Sequence, residues 1–430
     1  MNKRQLVHIA VLAAVPFVMV LGNSMLIPVF PQLRQAMDLT SFQVGLLVTA
    51  FSVPAAIVIP AAGVLSDHIG RRKVIGPALI VYGAGGLIAG LAAVLVSEPY
   101  PVVLAGRIVQ GVGAGGTYLL AVALAGDIFR TGGRTQVLGI LEAANGLGKV
   151  TSPILGALVG LISWWAPFFV YGLLAIPAAL GVWFLVDEPP LEKGRGLREY
   201  GRALKRIFRE RGGTLCATYG VGMTVLFVLF GALSFVADEL PRRYGISGLA
   251  SGLVLALPVG TMAVTAYVAG TYFQHRMAML KPVIVGGTAL AAASLGVSAL
   301  WESLVPFIAA LSVLGIGIGS VLPAINTLVT SAADRTERGL VTSLYGAVRF
   351  AGVALGPPAF AMALELGRAA MLVGAAALAA AALALGWWAI KPGVLLEAQK
   401  ADRPVGERPA GDGQDREGTR PALRELERKG

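Results

Sequence analysis

The sequence is short of the side chains that most enzyme chemistry requires. A single cysteine, Cys216, excludes an internal disulfide, and the three histidines, His8, His68 and His275, lie too far apart for metal-ligand spacing. No Ser/His/Asp grouping, metal cluster or phosphate-cradling glycine loop stands in the chain, so a membrane enzyme or sensor is only a remote alternative and no cofactor or metal is expected. Charge is scarce too: 14% of residues are charged, where an ordinary soluble domain carries about a quarter. The net charge of +11 would suit nucleic acid, but the basic residues sit in short segments between apolar blocks rather than on one polar domain, so nucleic-acid binding is not expected.

What the chain has instead is apolar length. Of its 430 residues, 56% are hydrophobic, with a mean hydropathy of +0.74. Water could not hide so much apolar surface. Blocks such as 6–30 and 42–65 match the roughly 20 residues that cross a hydrocarbon core of about 30 Å. The first run is too long for a signal peptide and lacks a small-residue cleavage site, so it is expected to stay as a span. Polar breaks place spans near 6–30, 42–65, 74–96, 102–125, 136–160, 167–186, 214–237, 248–272, 282–300, 304–329, 339–363 and 369–390.

An even count puts both termini on one side. Lys3, Arg4, Arg71, Arg72, Lys73, Arg130, Arg134, Arg276, Lys281, Arg335 and Arg338 fall on that side, against Arg34, Arg242, Arg243 and Arg368 on the other. The excess predicts cytoplasmic termini in a multi-pass protein of the plasma membrane. Gly111-Val112-Gly113-Ala114-Gly115 recurs as Gly315-Ile316-Gly317-Ile318-Gly319, and Gly148-x3-Ser152-Pro153 as Gly352-x3-Gly356-Pro357, both at an offset of 204 residues. The fold class expected is an all-α membrane protein of about twelve spans in two pseudo-symmetric bundles. The bundles would occupy 1–186 and 214–391, with a site between them at mid-membrane. Segment 187–213 reads as a cytoplasmic linker. Leu197, Tyr200, Leu204, Ile207 and Phe208 recur there at near-helical spacing, so it is either an amphipathic helix on the membrane surface or a solvated linker. Residues 392–430 are rich in Pro, Gly and alternating charge and are expected to be a disordered tail.

Between spans 2 and 3 the chain reads Gly63-Val64-Leu65-Ser66-Asp67-His68-Ile69-Gly70-Arg71-Arg72-Lys73. Its glycines permit a tight turn and its acid and arginines can pair at the membrane edge. The segment closely resembles the signature loop of the major facilitator superfamily. Three more segments resemble the twelve-span drug:proton antiporters within it: Leu21-Gly22-x5-Pro28-Val29-x-Pro31, Arg107-x2-Gln110-Gly111-x-Gly113, and Gly139-x8-Gly148-x3-Ser152-Pro153-x2-Gly156. In the last, Ser152 and Ala157 stand where glycines are usual. In the second half Gln274 stands where an acid would be, so the latch is expected to be one-sided.

The resemblance implies a secondary transporter. Asp67, Arg71 and Arg72 would form, with Asp127, a conformational latch that locks the outward-facing state. Arg107 would tune a proton-carrying group. Pro28, Pro31, Gly139, Gly148, Pro153, Gly156, Gly352, Gly356 and Pro357 would serve helix packing, with span 5 against a helix of the other half.

Ionisable residues inside spans default to functional hypotheses, and there are four: Arg107, Glu142, Lys149 and Arg349. Glu142 and Lys149 share one helix face about 10 Å apart along the axis. Asn145 adjoins that face, and Arg349 is its repeat counterpart. Asn23 and Gln110 are further polar cavity candidates. Glu142 is the best embedded proton carrier, unless it is a structural salt bridge to Lys149 or Arg349. Asp38 and Asp238 are weaker carriers, and Tyr118, Phe227, Phe230, Phe235 and Tyr345 are candidate aromatic walls.

Three cations against one acid favour anionic, zwitterionic or neutral amphipathic cargo. The expected function is proton-coupled efflux of small amphipathic compounds or drugs by alternating access, by a monomer whose partners are its small-molecule substrate, protons and the bilayer. Transport of an anionic metabolite or a lipid-linked headgroup is the alternative.

Overall fold

A hydrocarbon solvent offers no partner to a backbone N–H or C=O, so each apolar run must satisfy its own backbone, and it does so as helix. The computed structural model describes residues 3–129, 133–190, 197–273, 276–333 and 337–401, and among them there is no strand. Arg130, Gln274, His275, Arg335 and the tail beyond Ala401 lie outside the described residues.

The helices run in the order α1 (Lys3–Ser24), α2 (Phe30–Ala36), α3 (Ser41–Ile69), α4 (Arg71–Leu95), α5 (Tyr100–Gly115), α6 (Tyr118–Ile128), α7 (Arg134–Gly160) and α8 (Ala166–Leu185). They continue as α9 (Leu197–Tyr244), α10 (Gly248–Phe273), α11 (Leu280–Ser298), α12 (Leu304–Ser331), α13 (Arg338–Leu364), α14 (Arg368–Ala389) and α15 (Pro392–Ala401). Eleven helical segments are long and apolar enough to cross a membrane. The twelfth span is α7, whose 27 residues are made more polar by Glu142, Asn145 and Lys149.

Two spans are broken, and the sequence shows why. After α1 a 3-10 turn over Ile27–Val29 contains Pro28, and Pro31 opens α2, where its missing N–H costs nothing. These prolines interrupt span 1 and are themselves buried, the turn that holds Pro28 packing on α7, α9 and α10. Span 4 breaks at Gly116 and Thr117, between α5 and α6. Helix α3 begins cleanly because Thr40 accepts from the Gln43 backbone while the Gln43 side chain answers to Thr40, a reciprocal capping box.

The helices form two bundles. In the first, α4 packs on α5 and α8, α3 on α5, and α1 on α7 and α8; in the second, α12 packs on α10 and α11, α11 on α14, and α13 and α14 on α9. Two seams join them, α3 against α13 and α7 against α10, and the internal repeat exchanges one for the other. Twelve crossings return the chain to the face where it began, hereafter the terminal face; the opposite one is the far face.

Two expectations change at the polar segments. The segment between the bundles contributes a helix, but one continuous with the seventh span, α9 having 48 residues. Its Ala203 and Ile207 are buried in the protein. Arg206 pairs with Glu337 at 2.7 Å and Arg211 donates to the Ala332 carbonyl at 2.7 Å, so its apolar face meets the second bundle instead of lipid. The tail expected to be disordered from 392 starts with α15, which buries Leu395.

Candidate transport site

A cavity of about 930 Å³, part of it open to solvent, lies between the bundles and is lined from α1, α3, α6, α7, α9, α10 and α13. Asn23, Asn145, Lys149 and Arg349 all reach its wall, as expected from their place inside spans. Of the expected aromatics, Tyr118 and Phe230 line it. Tyr345 is buried beneath Arg349, whose guanidinium lies 5.5 Å from its ring centroid. Phe227 packs on Phe360 at 6.0 Å and Phe235 on Phe307 at 6.2 Å. The walls that sequence reasoning missed are Phe51 and Phe350, one from each bundle, with ring centroids 6.4 Å apart. Spans apolar all round carry no periodicity to mark an inward face.

Arg107 does not line the cavity. It is wholly buried behind Phe51, 4.6 Å from that ring's centroid. It donates to the Leu47 carbonyl at 3.0 Å, the Gly22 carbonyl at 2.6 Å, Gln110 Oε1 at 2.6 Å and Asn23 Oδ1 at 3.2 Å. Among the described residues no carboxylate pairs with it. The guanidinium fork ties α1, α3 and α5 together through neutral acceptors, and Gln110 belongs to this buried cluster rather than to the wall. Gly22 is needed for the approach: a Cβ there would lie 2.0 Å from the Tyr82 hydroxyl.

The cavity therefore holds two cations, not three. Glu142 makes no ion pair within the described residues; it accepts a short hydrogen bond from the Tyr118 hydroxyl instead. The static salt bridge to Lys149 or Arg349 is absent from this structure. Lys149 has Arg349 as a repelling neighbour and Glu142 as an attracting one. The two cations come from α7 and α13, one from each bundle.

On the terminal face Asp67, Arg71 and Asp127 come together in a state whose far face is closed, not the outward-facing state that the resemblance would have them lock. Arg71 Nε lies 2.7 Å from Asp127 and its Nη2 lies 3.5 Å from Asp67. Gly70 turns the chain at φ 106, where a side chain would be strained. Two partners were missed. Glu188 accepts from the Arg71 and Arg72 backbone N–H groups that open α4, satisfying orphan donors at a helix start. Tyr200 of α9 donates to Asp67 at 2.5 Å. Asp67, Arg71 and Asp127 all belong to the first bundle, and Tyr200 reaches them from outside it. Arg72 turns away to the Val186 carbonyl at 3.0 Å.

The far face is sealed between the bundles. A Cβ on Gly45 of α3 would lie 2.8 Å from Pro358, Thr49 donates to the Ala354 carbonyl at 2.6 Å, and a Cβ on Gly252 of α10 would lie 2.6 Å from the Pro153 carbonyl. Arg34 and Asp238 close the rim at 3.1 Å, and Ser41 donates to Asp238 at 3.3 Å. Asp238 thus has two ionic or hydrogen-bond partners from the first bundle, not a proton carrier's open setting. Asp38 is exposed at φ 50, the left-handed turn conformation that aspartate tolerates.

The glycines of spans 5 and 11 pack differently from expectation. A Cβ on Gly156 would meet the Met25 carbonyl at 2.1 Å, one on Gly352 the Met223 carbonyl at 2.3 Å, and one on Gly356 the Phe227 carbonyl at 2.4 Å. Gly148 faces Phe17 at 3.3 Å, and Gly139 meets nothing within 4 Å. Gly148 and Gly156 therefore press α7 on span 1, and Gly352 and Gly356 press α13 on α9, inside each bundle. Pro153 and Ala157, and in the repeat Pro357 and Pro358, make the contact across.

Two related helix bundles, a cavity at their interface and a rim that can seal define a membrane transport protein. The sequence profile of the Major Facilitator Superfamily matches residues 12–357 and 231–428. The chain belongs to that family, one of transporters and not enzymes. It is 39% identical over 360 residues to the bacillibactin exporter of Bacillus subtilis (strain 168), covering 82% of this chain and 89% of that protein. It is 27% identical over 346 residues to the multidrug efflux protein YfmO of the same organism, covering 78% and 81%. Among solved structures, the human organic anion transporter MFSD10 superposes with a TM-score of 0.71 at 21% identity, over 90% of this chain and all of that one. A bacterial homologue of the human lysosomal transporter Spinster, inward-facing and unoccupied, gives 0.70 at 18% identity over 94% and 99%.

Proposed function

We propose that this transporter is a proton-coupled exporter of small amphipathic compounds, working by alternating access across the plasma membrane with both termini in the cytoplasm. The observation that carries the reading is the mid-membrane cavity whose wall residue Tyr118 holds an ionisable carboxylate, Glu142, by a hydrogen bond. A carboxylate is the simplest side chain with which a span can carry a proton. Its relatives named for the export of bacillibactin and for multidrug efflux support outward transport. The terminal face is then cytoplasmic, in line with its excess of Lys and Arg, and the sealed far face makes this state inward-facing.

The test is transport of an efflux-compound panel into everted membrane vesicles with an acid interior. Uptake is expected to rise with the imposed gradient and to collapse with nigericin; uptake that ignores nigericin removes proton coupling. Tags at the two ends should both be reached from the cytoplasm, and a split result removes the orientation.

A further inference from the structure

We propose that Lys149 and Arg349 form a two-part anion clamp, so that the cargo is a rigid aromatic compound with acidic groups and its negative charge lets the two bundles close over it. The inference rests on the export reading, since it names the substrate class of that same cavity.

The two cations line one cavity from opposite bundles, Lys149 on α7 and Arg349 on α13. Among the described residues neither has a carboxylate within ion-pair distance. The acid on the same helix face, Glu142, is taken up by Tyr118. While the cavity is wet, water screens the two charges. When the bundles close and water leaves, the same charges are held in a low-dielectric space, where each loses hydration and each repels the other. Closure over an empty or cation-filled cavity is therefore opposed, and an anion seated between the two removes both penalties at once. On the return step Glu142 carries its proton and cannot neutralise the cations, so closure without cargo is the slower leg of the cycle.

The remaining wall fits an aromatic body. Phe51, Phe230 and Phe350 offer flat apolar surface from three helices, and rings prefer offset or edge contacts at the spacing Phe51 and Phe350 already show. Arg349 is steadied over Tyr345, which leaves its planar fork for a bidentate acidic group, while Lys149 supplies a compact charge opposite. A lipophilic cation of the same size meets the repulsion of Lys149 and Arg349.

The experiment is calorimetric titration of the purified full-length chain with four size-matched probes: a naphthalene disulfonate, a naphthalene monosulfonate, a naphthalene sulfonamide and a trimethylammonio-naphthalene. Affinity is expected to fall in that order. Lys149→Gln and Arg349→Gln should each weaken the disulfonate about tenfold and leave the sulfonamide within about twofold. Lys149→Arg, which keeps the charge, should retain binding and shows that a loss in Lys149→Gln is not misfolding. Equal or tighter binding of the cation, no binding of either sulfonate, or a disulfonate affinity indifferent to both substitutions overturns the clamp. The export reading is judged separately in everted vesicles. Gradient-driven uptake of neutral or cationic compounds with no sulfonate preference sinks the clamp alone. Selective sulfonate binding without gradient-driven flux of any compound sinks the export reading alone.

Discussion

Arg34 and Asp238, one from each bundle, pair at 3.1 Å although 204 residues separate them. The pair sits at the rim of the far face, where Ser41 joins it. Their side chains are 20% and 14% exposed, between a surface pair and a buried one. Breaking such a pair costs on the order of 1–2 kcal/mol, more than the surface value and less than the fully buried one. Asp238→Asn should shift the resting population toward opening of the far face by roughly 5–30-fold. A cysteine placed at Ser24, in the cavity wall, reports this as faster labelling by an impermeant maleimide from that side. The charge swap Arg34→Asp with Asp238→Arg should restore protection; a swap that labels as fast as the single variant would mean the rim is held by packing alone.

Tyr200 links the helix between the bundles to the signature loop. Tyr200→Phe should lower the maximal transport rate several-fold and leave substrate binding unchanged, because it removes a contact of the cycle and not of the cavity. Asp67→Asn should do the same more severely, since Arg71 then keeps Asp127 alone. A change in dissociation constant for either variant, measured by titration, would contradict this division.

Glu142→Gln keeps the size of the side chain and a hydrogen bond to Tyr118 but no titratable proton. Gradient-driven uptake should vanish while exchange of substrate across the membrane at equal pH persists. Retained gradient response would move the proton carrier elsewhere.

Arg107 makes four hydrogen bonds from full burial. Losing two of them, at about 1.5–3 kcal/mol each for a charged donor, destabilises the bundle by about 3 kcal/mol or more. Arg107→Lys loses the fork and should lower the melting temperature in detergent nearly as much as Arg107→Met. An unchanged melting temperature with lost proton coupling would return Arg107 to the tuning role that the family resemblance implies.

The seam between α7 and α10 offers a steric test. Gly252→Val would drive methyls into Ala157 and the Pro153 carbonyl, so the far face cannot seal and transport should fall at least tenfold with the protein still folded. Gly139→Ala meets open space and should behave as wild type.

The spans, the cations of the cavity and the Asp67, Arg71 and Asp127 cluster were legible because each departs from a uniform background: a charge in an apolar run, or an acid in a fixed pattern with arginines. Phe51 and Phe350 were not, since an aromatic in a span that is apolar on every side carries no mark of direction. Arg107 was misplaced for a related reason. Composition says that a charge is inside the membrane but not whether carbonyls from α1 and α3 or a cavity receives it. Glu188 and Tyr200 sit in a polar segment whose near-helical spacing names no partner, and their roles depend on docking across more than a hundred residues of chain. The pairing of Arg34 with Asp238 could not be read from the sequence, because it depends on which helix ends meet at the far face.

Helix α9 runs unbroken from Leu197 to Tyr244, and at about 1.5 Å per residue it is a rod of about 70 Å. Tyr200 near one end grips the loop at the terminal face, and Asp238 near the other grips Arg34 at the far face. A lever that long cannot be tilted at one tip and left still at the other. Release at either surface is therefore felt mechanically at both, and the two doors of the carrier are hung on a single post.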